Sequence, residues 1–268
     1  MTENEMETKK FARFYQTPPR AASALKERRE RQVSNAQLSS FSSWLPVYTF
    51  FFTNTSKHDI LLSMNFEELV KLTRDMPAFE LAYLTRHFDS SRDAIRVQLS
   101  RWMSQGKVIG LRRGLYTLSD EHRRVALEPA EVANALYRPS YLSTLWALSY
   151  YKLIPEKISR FTCLTTRVPR NFENQFGVYD YRTIKVEVFF GFQSVSAGKR
   201  KFLVAEPEKA LLDHWHLTVG EWTPARLEVM RYQKVEQIDP DRLKAYADRF
   251  HSPRLNRAVE RWIEATDL

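Results

Sequence analysis

A chain of 268 residues that is 43% hydrophobic and carries 17 phenylalanines has the apolar material for one large core or several smaller ones, which excludes wholesale disorder. Its net charge of +9 points to polyanionic partners, nucleic acid ahead of an acidic membrane surface. The single cysteine, Cys163, excludes an internal disulfide framework and a cysteine-based zinc site, and a reducing, cytoplasmic setting is expected.

Residues 1–63 differ from everything after them. They hold no glycine, a basic patch (KERRER, residues 26–31), a serine-rich stretch (SNAQLSSFSS, 34–43) and then an aromatic cluster. No helical or strand period persists there. The opening MTENEMETKK is acidic and polar, unlike a targeting segment, and the apolar run Trp44 to Phe52 is too short to span a bilayer and contains Pro46. The expectation is an extension without regular structure, or sequence upstream of a true start at Met64. A basic DNA-binding arm is the alternative.

Residues 64–124 carry three helices and a hairpin. MNFEELVKLTRDM gives the first helix an apolar side through Phe66, Leu69 and Val70, with Pro77 after its end. FELAYLTRHF (79–88) supplies a short second helix. Asp89 and Ser90 offer N-caps, with Asp93 three residues after Ser90 as in a capping box. The third helix runs to about Gln105 and stops at Gly106. Ile95, Leu99 and Trp102 share its inner face, while Arg92, Asp93, Arg96, Val97, Ser100 and Arg101 fall on the remaining arc. KVIGL and GLYTL then read as two strands whose tip carries Arg112 and Arg113, with Gly110 and Gly114 letting them turn. This is the pattern of a winged helix-turn-helix, in which the third helix enters the major groove and the wing lies on backbone or minor groove. Seven Lys/Arg between Arg86 and Arg113, against Asp89 and Asp93, leave a local charge of +5. The candidate DNA contacts are Arg92, Arg96, Ser100, Arg101, Lys107, Arg112 and Arg113. A protein-interaction module is the competing use of such a unit.

Residues 125–268 form a second, α+β region of mixed helices and antiparallel sheet. Residues 128–154 read as two helices split at Arg138-Pro139-Ser140, with Ser140 as N-cap. Residues 161–204 alternate and suggest several antiparallel strands. AEPEKALLDHWHL (205–217) turns helical, with Pro207 near its start, and helices at about 223–231 and 239–264 close the chain. No enzyme signature emerges. His214 and His216, two apart on a helix, point in different directions and make poor joint ligands for a metal. Glu206 and Glu208 suit a helix first turn better than acid/base work, and Asp213 has no partner constellation in the sequence. Cys163 in a strand-like run reads as a small buried hydrophobe. No catalytic residue, metal or cofactor is expected.

The order RGLYTLS, PSYLSTLWAL, a β-rich stretch and VAEPEKALLD resembles the AbiEi family of antitoxins over roughly residues 65–230. The resemblance implies a transcriptional repressor of its own bicistronic operon, binding double-stranded promoter DNA at inverted repeats. It also implies an antitoxin of a type IV toxin-antitoxin system in abortive infection. The toxin would be a nucleotidyltransferase-like protein, countered without a stable complex. Residues 1–63 fall outside the pattern. The alternative function is an enzyme or nucleic-acid-processing protein with its site in the β-rich region.

Overall fold

The computed structural model describes residues 64–197 and 200–267, so the expectations for residues 1–63 lie outside the described residues. Asn65 caps the first helix, α1 (Phe66–Thr73). Its side chain accepts from the Glu68 N–H at 2.8 Å and the Glu68 carboxylate accepts from the Asn65 N–H at 3.2 Å, which satisfies two otherwise orphaned donors. Residues 79–88 are not helical throughout: β1 (Phe79–Glu80) precedes α2 (Leu81–His87). The next helix, α3 (Arg92–Ser104), starts one residue later than Ser90 would set it, because Ser91 is the cap and its hydroxyl accepts from the Ala94 N–H at 3.2 Å.

The end of α3 is as its glycine predicts. Gly106 takes φ +72°, its N–H donates to the Met103 carbonyl at 3.1 Å, and the Lys107 N–H donates to the Trp102 carbonyl at 2.9 Å. These two bonds close a Schellman motif and release the chain into β2 (Val108–Arg112). The antiparallel partner β3 (Leu115–Leu118) also pairs with β1, giving the order β1-β3-β2. Gly114, at φ +81°, makes the turn. Gly110 does not: it lies within β2, where a Cβ would sit 3.2 Å from the Met103 sulfur, so its role is to admit the helix close to the strand. Leu69, Leu84, Ile95, Leu99, Trp102 and Leu118 fill the core between these elements.

After α4 (Pro129–Leu136) the chain enters a two-residue strand, β4 (Tyr141–Leu142), before α5 (Thr144–Tyr150). Ser140 is therefore not a helix cap; Ser143 holds that position. β5 (Phe161–Thr165), β6 (Arg170–Asn174), β7 (Gly177–Thr183), β8 (Phe192–Ala197) and β9 (Arg200–Ala205) complete a six-stranded sheet in the order β6-β7-β5-β4-β9-β8. It is mixed rather than antiparallel, since β5 pairs parallel with β7 and β4 parallel with β9. The physical reason is insertion: the β6–β7 hairpin docks by its second strand, which leaves β7 running with β5. Register places Leu142, Cys163 and Tyr181 on one face, where the Tyr181 hydroxyl bonds the Ala133 carbonyl of α4. Tyr141 and Leu164 share the opposite face.

The remaining helices are α6 (Pro207–Leu217), α7 (Pro224–Val229), α8 (Pro240–Asp248) and α9 (Pro253–Thr266). The single helix expected over 239–264 is two, broken by His251 at φ +49° and by Pro253 at the first position of α9. The arrangement is α+β, with helices first, a sheet region between, and helices last.

Candidate nucleic-acid interface and the buried polar cluster

Helix α3 buries Ile95, Leu99 and Trp102 and turns the opposite arc outward. On that arc Arg92, Ser100 and Arg101 are exposed, and Arg96 is half-buried with its guanidinium 2.9 Å from Asp93. Arg101 reaches the Gln98 carboxamide at 3.5 Å. Both contacts are on the helix's own surface, where such pairs hold a side chain only weakly, so the guanidinium groups can be recruited by an anion. Lys107 lies beyond the helix end with its ammonium 5.0 Å over the Phe66 ring. Five of the seven expected contacts, Arg92, Arg96, Ser100, Arg101 and Lys107, thus belong to α3 and the residues just after it.

The two hairpin arginines part company. Arg113 is exposed at the turn. Arg112 does not project: its Nε donates to the Leu136 carbonyl of α4 at 2.6 Å, its Nη1 to the Arg113 carbonyl at 3.0 Å, and its Nη2 lies 3.7 Å from Glu80. The cause is the electronegative C-terminal end of α4, which offers a carbonyl without a helical donor. The Asn174 amide completes the same junction by donating to the Leu111 carbonyl at 3.2 Å. Leu111 and Leu115 of the hairpin belong to the core of the sheet region, not to the one behind α3.

The sheet region holds a polar cluster that sequence reasoning missed. Lys209 and Asp213, both fully buried, face each other one turn apart on α6 and form an ion pair. The Lys209 ammonium donates to the Tyr141 hydroxyl at 2.9 Å. Ser143 and Tyr141 donate to the second Asp213 oxygen at 2.7 and 3.1 Å. Rings of Tyr141, Phe190 and Phe250 stand 4.9–5.4 Å from the ammonium. Burial pushes the Asp213 carboxyl up and the Lys209 ammonium down from their usual ranges, and their mutual attraction opposes both shifts. The signal was a charged i,i+4 pair inside the apolar run KALLD, and its partners Tyr141 and Ser143 lie in SYLSTLWAL. Two motifs that are far apart in sequence are therefore one closed structural knot.

Other chemically suggestive groups have structural employment. Glu208 is buried and accepts from the Asp239 N–H at 2.9 Å and from Arg242 at 3.0 Å, while Glu206 accepts from the Tyr246 hydroxyl at 2.6 Å. His214 packs against Trp222 and His216 against Phe250, with ring centroids 5.3 and 5.2 Å apart. Burial raises the Cys163 thiol far above its ordinary range, which suits a small core residue. Among the described residues there is no group of three or more His, Cys, Asp or Glu that could hold a metal ion, and no helix long and apolar enough to cross a membrane. Comparison with protein-family models and with curated proteins gives no match to this chain.

Proposed function

We propose that the protein is a sequence-specific, double-stranded-DNA-binding repressor of its own promoter, built on a winged helix-turn-helix at residues 64–124. The observation that carries this reading is the outer arc of α3. It presents Arg92, Arg96, Ser100 and Arg101 outward on a helix whose opposite side is anchored by Ile95, Leu99 and Trp102. A rigid helix about 10–12 Å across with several donors on one side is what the major groove admits and reads. Lys107 and Arg113 flank it, where phosphates would lie.

Footprinting on the gene's own promoter tests the proposal. Arg96→Ala and Arg101→Ala are each expected to weaken binding by about 1–3 kcal/mol if they reach base edges, and to relax specificity there. Wild-type affinity in both variants would remove the basis for the reading. The antitoxin role, with residues 125–268 countering a nucleotidyltransferase-like toxin, rests on the AbiEi resemblance. It is tested by growth rescue when the full chain is co-expressed with a nucleotidyltransferase-like toxin.

A further inference from the structure

Val97 stands in the middle of the outer arc of α3 and is 51% exposed. Its neighbours along the helix surface are Asp93 and Ala94, four and three residues before it, and Ser100 and Arg101, three and four residues after, so polar side chains border it on both sides. A β-branched residue is a poor choice for a solvent-facing helical position, because it loses side-chain freedom without burying its methyls. Ala94, three residues before Val97, is small and exposed, and Met103 lies on the flank of the helix. Asp93, Ser100 and Arg101 are polar or charged, so Val97 is the largest apolar group at the centre of the arc. A small apolar spot bordered by polar groups suits a surface that is polar except at isolated methyl groups.

The major-groove edge of DNA has that character. Every base presents donors or acceptors there, and thymine alone adds a methyl group. Resting on the DNA-binding reading above, we propose that Val97 is a specificity-determining residue whose methyls pack on the C5-methyl of one thymine in the recognised site. Arg96, Ser100 and Arg101 supply the polar contacts around it.

The test uses the full chain and a duplex that it enriches from a random pool. Each thymine in that duplex is replaced in turn by deoxyuridine, which deletes the methyl and keeps every donor and acceptor. Wild-type protein is expected to lose about three- to fivefold in affinity at one base pair per half-site, the effect of one methyl removed from an apolar contact. Val97→Ala should bind the thymine and uracil duplexes equally at that position, and Val97→Thr, which keeps one methyl, should retain part of the preference. Alanine at this exposed site favours the helix, so folding is not at stake. Identical thymine-to-uracil ratios for wild type and Val97→Ala at every position would overturn the valine proposal alone. Enrichment of no duplex at all would overturn the DNA-binding reading, and the valine proposal with it.

Discussion

Arg112 and Arg113 are neighbours of the same type, and their surroundings give them different work. Arg113 is solvent-facing, whereas the Arg112 guanidinium is occupied by the Leu136 and Arg113 carbonyls. On the proposed DNA-binding reading, Arg113→Ala should therefore reduce the salt dependence of binding by about one unit of slope. Arg112→Ala should leave the slope alone and cost about 1–2 kcal/mol of folding stability, the loss of charge-assisted bonds at a helix end. Equal loss of slope in both variants would return Arg112 to the phosphate contacts. His214 offers a second test at this scale. Burial, with the nearby Arg226 charge, lowers its pKa from 6.5 to about 3. The folded protein keeps the ring neutral while the unfolded chain protonates it below 6.5, so stability is present above that value and is lost as pH falls toward 3. Between pH 7 and pH 5 the wild type should lose about 2 kcal/mol more than His214→Phe in parallel denaturant titrations. Matching losses would show that the imidazole stays neutral in neither state or in both.

The elements differ in how far local pattern could reveal them. Helix α3 was legible because its apolar period, serine cap region and terminal glycine all agree, and the cap was misplaced by only one residue. The strand Tyr141–Leu142 was not, since two residues cannot display an alternation and both of its sides are buried. Alternation across 161–204 reported which side chains share a face but carries no information on strand direction, so the parallel pairs were invisible. Residues 239–264 looked continuous because Leu243, Ala247, Leu255 and Val259 all fall on one multiple-of-four series, interrupted only by His251 at the break before Pro253. Of the candidate interface, the residue types on α3 were legible, but the partner of Arg112 lies 24 positions away and no local rule finds it. The Lys209–Asp213 pair shows the same limit in the core. It joins α6 to β4 and the start of α5, where Thr144 holds the strained φ of +55°. Lys209→Met should cost about 3–5 kcal/mol by stranding a buried carboxylate, and adding Asp213→Leu should recover much of that loss. Guanidinium unfolding of the two variants measures both. No recovery in the double variant would mean that the hydroxyls of Tyr141 and Ser143 need the pair more than the pair needs them.

Across the whole described chain, the hairpin decides whether the helices of residues 64–124 and the sheet of 125–268 act separately. One side of the hairpin, Val108, Tyr116 and Leu118, packs behind α3, and Leu111 and Leu115 pack into the sheet region. Arg112 and Asn174 bridge the same boundary with hydrogen bonds. Pulling the two regions apart would expose both leucines, at about 1.5–3 kcal/mol each, in addition to those bonds. That is a large share of the 5–15 kcal/mol that holds a typical protein folded, so the two cores are expected to unfold as one unit. Hydrogen exchange with and without DNA tests this directly. A duplex at a hundred times its dissociation constant stabilises the folded protein by about 2.7 kcal/mol, about a hundredfold in protection from global opening. The amides of Ile95 and Leu99 in α3 should slow by that factor, and so should those of Cys163 and Leu164 in β5, which no contact with DNA needs to reach. Slowing confined to α3 would mean that the hairpin is only a tether. In that case the proposed DNA binding and the proposed toxin neutralisation would be testable on separate fragments. Slowing in both means that the two regions share one cooperative core, so a fragment beginning at residue 125, which lacks Leu111 and Leu115, would lose stability before any loss of the proposed antitoxin function was read from it.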